Sequence, residues 1–390
     1  MLGVRQARTT AMSNAHQMFW VRTLDALAAR GAEQSVIEAE VAAEISIPGM
    51  LTYADHGIVF GPTTFVPDES GLYKYLLRMK QPMPGEPSGF DTIQRTSSRG
   101  GYLLPGAPVT ELVAIFSLVL QARLFVLSTT ERLLDPQHLP RKTDCGVLRA
   151  TGDVKHLDGV LFSPRTERNI HASLPPLLDA IRRVPAKHHL ELVVAADHYA
   201  KAIRTVGLDD EMVFVRLVSA IERVMPEHPP DSLSEKLLTL DGLTEAENEE
   251  LKVTLQARRA RVRFVTFIQR YAHGFFDNES KEPAHTQVTS ENLPDVATAI
   301  YRARSGYLHS GDPMYISRRM AQFPAWHMEP SMGKWEQNRA FTAAQKLPTT
   351  EFFHRLVRHC LLARLNELAE ADTRTVEGGG PALEGGGASS

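Results

Sequence analysis

Apolar residues recur at helical spacing through the second half of the chain, from about residue 187 onward. The pattern predicts one helix from His188 to Val206, with Gly207 following as a stop. Asp209 or Asp210 is placed to cap a second helix, because a carboxylate can accept hydrogen bonds from the first free N–H groups. Later helices are predicted over residues 244–271, 294–308 and 350–370. The second half is therefore predicted to be all helical.

The first half has a different pattern of apolar and polar positions. Residues 36–66 are rich in β-branched and aromatic side chains and are interrupted by Pro and Gly, which predicts short strands joined by turns. Residues 67–108 contain many Pro, Gly and Ser residues, which predicts a long surface loop. Residues 110–134 are strongly apolar and predict a helix, which Thr110 caps and whose positive end Glu111 complements.

These patterns predict an α+β chain in three parts. Residues 1–185 form a mixed α/β domain of unknown role, and residues 186–371 form an all-α helical bundle. Residues 372–390 are rich in Gly, cannot bury enough apolar surface to fold, and are predicted to be a disordered tail.

Composition and charge narrow the classes of function. The 390 residues carry 43 Lys and Arg against 46 Asp and Glu, so the formal net charge is −3. This balance excludes one broad electropositive surface but leaves room for a local basic cleft. Cys145 and Cys360 stand alone, which excludes a cysteine-rich zinc site and favours reduced thiols over a bridge. His189 and His198 are predicted on opposite faces of one helix. We therefore expect no metal and no cofactor.

The most apolar segment of the chain bears on whether the protein enters a membrane. Leu112 to Leu127 is interrupted by Ser117, Gln121 and Arg123 and is too short to span a bilayer. The N-terminus shows no apolar core of a secretory signal. We therefore expect a soluble cytoplasmic protein with no membrane partner.

The helix over residues 294–308 carries the most informative chemistry. Arg304 and His309 stand near its end, where His can transfer a proton and Arg can stabilise charge on a phosphate. Together they are a minimal set for cleaving RNA without a metal, with the ribose 2′-OH as nucleophile. Gly306 and Gly311 predict a frayed or tightened last turn, which would swing His309 towards Arg304. The alternative is that both side chains only contact C-terminal carbonyls and solvent.

Several segments resemble one family in matching order. The segment Tyr301–Gly311 resembles the R-x(4–6)-H signature of HEPN domains and is most similar to their Apea-like branch. The segments Asp197–Ala202, Val213–Met225 and Phe352–Leu368 resemble the first, second and closing helices of that branch. The resemblance covers roughly residues 187–370, about half of the chain.

The resemblance implies a helical bundle that dimerises, with two motif helices facing each other across a composite cleft. It implies a metal-independent endoribonuclease in a defence, toxin-like or RNA-processing role, with an antitoxin or another protein as partner. It makes Arg304 and His309 catalytic, with Ser305 at the polar position after the Arg. Glu222 would orient Arg304 through a salt bridge, and Tyr301 would support the motif. The alternative for Glu222 is a partly buried pair with a structural role only, or an exposed side chain. The Ser after the Arg and the Ser-Gly after the His differ from the better-understood nucleases.

A run of four arginines is the densest basic segment of the chain, and it follows a capping box that begins at Thr244. Its members are Arg258, Arg259, Arg261 and Arg263. The run is a candidate RNA-binding patch, although a solvated helical face is the simpler interpretation. For the chain as a whole, the alternative to a nuclease is a noncatalytic HEPN-like module that binds RNA or a protein.

Overall fold

The computed structural model describes residues 17–30, 35–55, 57–81, 107–133, 141–144, 169–226, 244–277, 287–314, 316 and 347–377. The first part of the chain contains α1 (Phe19–Arg30), β1 (Ser35–Ala43), β2 (Leu51–Tyr53), β3 (Ile58–Pro62), β4 (Tyr73–Gln81), α2 (Ala107–Leu120), β5 (Leu124–Leu133), β6 (Arg141–Asp144) and α3 (Ile170–Arg183). After a 3-10 turn (Ala186–His188) come α4 (His189–Thr205), α5 (Asp210–Val224), α6 (Glu245–Tyr271), α7 (Leu293–Ser310) and α8 (Thr350–Glu377). The predicted α+β class is confirmed at the level of mixed helices and sheet.

The six strands form one antiparallel sheet in the order β2-β3-β4-β1-β5-β6. Alternate residues of a strand point to opposite faces, so Tyr75, Leu77 and Met79 of β4 are buried in the core. Glu38 lies opposite Arg78 on the other face and forms a cross-strand ion pair with it. The sheet therefore has one face in the core and one polar face.

The loop predicted over residues 67–108 is wrong in part. Residues Tyr73–Gln81 form β4, which pairs with β1 on one side and with β3 on the other. The buried positions alternate over only a few residues, and the Pro and Gly residues around them obscured that pattern. Residues 82–106 lie outside the described residues.

The single helix predicted over residues 110–134 is also wrong, since α2 ends at Leu120 and β5 follows. Gln121 separates the two elements with a φ of 49°, in the left-handed region. A continuous apolar run does not distinguish a buried helix from a buried strand. Thr110 lies inside α2 rather than at its cap, because the helix begins at Ala107.

Glu111 is buried and serves a different helix from the one predicted. Its carboxylate accepts a hydrogen bond from the backbone N–H of Trp20 at 3.2 Å, in the first turn of α1. Burial raises the pKa of Glu111 to about 8, although the backbone hydrogen bonds from Trp20 and Phe19 and the charge of Arg22 each lower it. Glu111 thus satisfies the start of α1 from across the core.

The predicted helices of the second half are confirmed, and local caps fix their starts. Asp209 accepts a hydrogen bond from the N–H of Met212 at 2.9 Å, and Thr244 and Glu247 form the predicted capping box. The helix α8 continues to Glu377, past the predicted boundary at residue 371. Residues 378–390, the rest of the predicted tail, lie outside the described residues.

Buried arginines tie the sheet side of the molecule to the helical side. Arg123, between α2 and β5, donates to the carbonyl of Val206 at 2.6 Å, just beyond α4. Arg358 of α8 donates to the carbonyls of Leu118 and Val119 at 2.9 and 2.7 Å, at the end of α2. The boundary predicted near residue 185 falls between α3 and α4, and the hydrophobic core continues across it.

None of the helices in the described ranges combines the length and the apolar character that a membrane crossing requires.

Candidate functional site

The helix α7 carries the motif and packs against α5 and α6. Val296, Ala297 and Ile300 are buried in the core, as the predicted apolar stripe requires. Arg302 and His309 on the opposite side are exposed. One face of α7 is therefore fixed by the bundle, and the other is available to solvent or a partner.

Arg304 lies at the border between these faces and is paired with Glu222 of α5. Its Nη2 donates to Glu222 Oε2 at 2.8 Å, which is the predicted salt bridge. The hydroxyl of Tyr301 donates to the other carboxylate oxygen, Oε1, at 3.0 Å. The two side chains of the ion pair are 17% and 24% exposed, so the pair is half-buried. Glu222 thus positions both motif residues from a neighbouring helix.

The electrostatics of this cluster keep Tyr301 neutral. Burial raises the pKa of Tyr301 to about 12, and the negative charge and hydrogen bond of Glu222 add to the effect. The Arg304 guanidinium lies 5.9 Å from the Tyr301 ring centroid, within cation-π range. Phe264 packs on the same ring, with centroids 5.3 Å apart. Tyr301 therefore acts as a hydrogen-bond donor and a support, and not as a base.

The guanidinium of Arg304 keeps unused donors. Among the described residues, its bond to Glu222 is its only hydrogen bond, and its Nε is buried without an acceptor. An arginine carries five N–H donors in a fixed fork, so one carboxylate does not exhaust it. Arg304 can hold Glu222 and contact an anion from solvent at the same time.

His309 is exposed on the last turn of α7, and the structure does not bring it to Arg304. The helix is regular through Ser310 and ends at Gly311, whose φ of 70° gives a left-handed cap. The predicted frayed or tightened last turn is therefore wrong. On a regular helix, Arg304 and His309 are five positions apart, which is about 140° around the axis and about 7.5 Å along it. Ser305, one turn before His309, lies with it on the outward side.

The arginine run of α6 divides between two environments. Arg263 donates to the carbonyls of Met225 and Pro226 at 3.2 and 3.1 Å and so caps the end of α5. Its positive charge also reaches Tyr301 and lowers that pKa slightly against the larger effects. Arg259 and Arg261 are partly buried. Arg258 lies on α6, and its side chain is outside the described residues. The role of the run in RNA binding stays a prediction.

Metal-binding and thiol chemistry have no site within the part of the chain that the structure describes. No three His, Cys, Asp or Glu residues there are grouped to hold a metal ion. The Nε2 of His189 lies 2.9 Å from the carbonyl of Val184, while its Nδ1 accepts from the N–H of Met18 at 3.2 Å. Cys360 is fully buried, which raises the pKa of its thiol, and Cys145 lies outside the described residues.

Sequence reasoning missed a second concentration of positive charge, between α4 and α5. We name it the α4/α5 basic cluster, and its members are His198, Lys201, Arg204, Arg216 and Arg223. The signal was present in the spacing, since residues three or seven positions apart share one side of a helix. It was overlooked because the charges are interspersed with apolar residues and form no run.

No family model, curated protein or solved structure matches the chain. The similarity to HEPN domains therefore stays a prediction from the motif residues, and the geometry of the site is argued from this chain alone.

Proposed function

We propose that the chain is a metal-independent endoribonuclease of the HEPN type that acts as a homodimer and needs no cofactor. One observation supports it above the others. On a single helix, Arg304 is held in an ordered, half-buried pair with Glu222, while His309 stands exposed about one and a half turns further on. This chemistry needs an arginine held in place to bind the phosphate and an accessible histidine to carry the proton.

The geometry of α7 favours a site shared between two copies. Arg304 and His309 point in different directions around the helix, so the two side chains of one copy do not reach the same phosphate. A two-fold axis beside the exposed face of α7 would set Arg304 of each copy near His309 of the other. Glu222 and Tyr301 would keep each arginine in place before RNA arrives, which lowers the cost of ordering it.

The proposed reaction uses only groups of this chain and of the RNA. His309 takes the proton of a ribose 2′-OH, and the 2′-oxygen forms a bond to the adjacent phosphorus. The bond from phosphorus to the 5′-oxygen breaks, and that oxygen leaves with a proton supplied by an imidazolium. Arg304 stabilises the charge on the phosphate oxygens in between. The products carry a 2′,3′-cyclic phosphate and a 5′-hydroxyl.

The test incubates the purified full chain with end-labelled single-stranded RNA in excess EDTA. We expect cleavage that leaves 2′,3′-cyclic phosphate ends and that His309→Ala abolishes. The matched control is His273→Ala, because His273 is also exposed but lies at the end of α6. Cleavage that EDTA stops, or that survives in His309→Ala, would overturn the proposal.

The similarity to HEPN domains extends the proposal to a defence or toxin-like role, in which a protein partner such as an antitoxin holds the nuclease inactive. The check is expression of the native chain and of His309→Ala in the same cells. We expect growth arrest only with the native chain. Equal growth with both would remove the toxin-like role and leave the nuclease itself standing.

A noncatalytic module that binds RNA or a protein is the second candidate. The observation that favours it is the commitment of Arg304 to Glu222 within its own chain, together with Ser305 as its neighbour. This function predicts RNA binding without turnover, unchanged by Arg304→Ala. A cleavage product that depends on Arg304 would exclude it.

A further inference from the structure

The α4/α5 basic cluster lies on a surface that α4 and α5 share. The two helices pack along each other, and β5 contributes Phe125 at one end. The guanidinium of Arg204 lies over the Phe125 ring, 5.7 Å from its centroid. Arg216 and Arg223 are two turns apart on α5 and so share one side of that helix.

Positively charged side chains outnumber carboxylates in the α4/α5 basic cluster. Asp197 is the carboxylate of the cluster; it is buried and lies 2.7 Å from Lys201. The Nε of Arg204 is buried and lacks a hydrogen-bond acceptor in the described part of the chain. Arg216 and Arg223 have no ion-pair partner among the same residues. One buried N–H group without an acceptor adds to the cost of gathering these positive charges.

The protonation behaviour of the cluster agrees with this excess. Burial lowers the pKa of Arg204, and the charge of Arg216 lowers it further although Asp197 acts in the opposite direction. Burial likewise lowers the pKa of His198, and the charges of Arg223, Lys201 and Arg216 add to the effect against Asp197. An anion bound at the cluster would relieve this mutual repulsion.

We infer that the α4/α5 basic cluster binds the phosphate groups of RNA. The choice of RNA as the polyanion rests on the proposed function, while the expectation of an anion rests on the charges of the cluster. Phe125 and Arg204 face each other, so a base of single-stranded RNA can stack only on the outer face of the ring or of the guanidinium plane. Arg223 follows Glu222 directly near the end of α5, so the cluster and the motif meet at this end of the helix, on sides about 100° apart. A strand that crosses the end of α5 can therefore contact both sites.

The test measures binding of the full chain to a fluorescent 2′-O-methyl RNA, which lacks the nucleophile and stays intact. The variant is Arg216→Gln/Arg223→Gln, and the matched control is Arg183→Gln/Lys187→Gln, which removes two exposed charges elsewhere. We expect the cluster variant to bind about tenfold more weakly. The slope of log K against log salt concentration should become shallower by about 1.4, the value for two lost phosphate contacts on a single strand. Unchanged far-ultraviolet circular dichroism and melting temperature verify that both variants fold.

The outcomes separate the cluster from the nuclease. Equal binding by the native chain and the cluster variant would overturn the inference, whatever the cleavage assay shows. Binding that the cluster variant loses, in a native chain that does not cleave RNA, would support the cluster and overturn the proposed nuclease. A native chain that binds anionic lipid vesicles but no RNA would overturn the inference in favour of a membrane surface.

Discussion

Two clusters of the same chemistry stand in different parts of the helical half. In the first, Glu222 accepts hydrogen bonds from Tyr301 and Arg304. The second, the Glu367 cluster, joins the carboxylate of Glu367 on α8 to three donors, which are Tyr271, Arg270 and Arg364. In both, an arginine also lies over the ring of the tyrosine. A carboxylate that joins a tyrosine and an arginine is therefore a recurring structural device in this fold and does not by itself mark an active site.

The two clusters differ in the number of hydrogen bonds that hold the arginine and in the side chains beside it. Arg364 donates both to Glu367 and to the Tyr271 hydroxyl, at 2.7 and 3.2 Å, and Arg270 adds a second charge. Arg304 makes one hydrogen bond to the described residues and stands on the helix that carries His309. Both Arg304 and Arg364 keep a buried Nε without an acceptor among the described residues. Only the Glu222 cluster places its arginine on the helix that carries the exposed His309, which can act as a proton carrier. This contrast is what the following substitutions test.

The largest expected effect separates the two arginines by activity. Arg304→Ala should slow single-turnover RNA cleavage about 100-fold to 1000-fold, because it removes a donor to the developing phosphate charge. Arg364→Ala should leave the rate unchanged and should only lower the melting temperature. Equal losses of rate in both variants would show that each arginine acts through stability, and the contrast between the clusters would disappear.

A smaller effect compares the carboxylates by stability. Glu367→Ala should cost about 1 to 2 kcal/mol of unfolding free energy, since it leaves three donors without their acceptor in a partly exposed site. Glu222→Ala should cost about 1 kcal/mol, because it leaves two. Urea unfolding at neutral pH with equal m-values provides the measurement. A larger cost at Glu222 would mean that its cluster, and not the Glu367 cluster, is the main structural tie.

The next effect in size is the contribution of ionised Glu367 to stability, which should depend on pH. Burial works against the charged form of Glu367, but the hydrogen bonds from Tyr271 and Arg364 and the charges of the arginines hold its pKa below the usual range. A depressed folded pKa stabilises the chain above the unfolded value of about 4.3 and loses that effect as pH falls through the folded value. The stability gap between the native chain and Glu367→Gln should therefore close in acid.

Urea unfolding of both proteins between neutral pH and about pH 3 measures this gap. Glu69→Gln is the control, because Glu69 is exposed in the loop between β3 and β4. A gap that stays constant in acid would show that the cost of Glu367→Gln is one of packing and not of charge.

The contrast between predicted and missed features follows the range of the interactions involved. The starts of α5 and α6 were predictable because Asp209 and Thr244 cap within their own turns. The strand β4 was not, because its place in the sheet depends on pairing with β1, which lies about 40 residues earlier. Glu111 shows the same limit, since its partners on α1 are far away in sequence.

The site divides in the same way. The salt bridge between Glu222 and Arg304 was predicted only through the resemblance, and the structure contains it. The capping of α5 by Arg263 was missed, because a basic run is read as one surface while its members face different neighbours. The regular end of α7 depends on Gly311 taking a left-handed conformation, whereas the sequence pattern alone predicts fraying at the same glycine.

The smallest expected effect compares the two tyrosines. Tyr301→Phe and Tyr271→Phe should each cost about 0.5 to 1 kcal/mol, because Glu222 and Glu367 keep their arginine partners when the hydroxyl is removed. Tyr301→Phe should reduce cleavage far less than Arg304→Ala, because the hydroxyl supports Glu222 and does not touch RNA. Urea unfolding and the single-turnover assay measure both effects.

Alkaline pH sharpens the comparison of the tyrosines. Burial and Glu222 raise the pKa of Tyr301 to about 12, against an unfolded value of about 10. The folded chain therefore keeps a proton that the unfolded chain releases, and stability should fall as pH rises from about 10 to about 12. The decline should be shallower in Tyr301→Phe than in the native chain. An equally steep decline would mean that the Tyr301 hydroxyl ionises as freely in the folded chain as in the unfolded one, and that Glu222 holds Arg304 without its help.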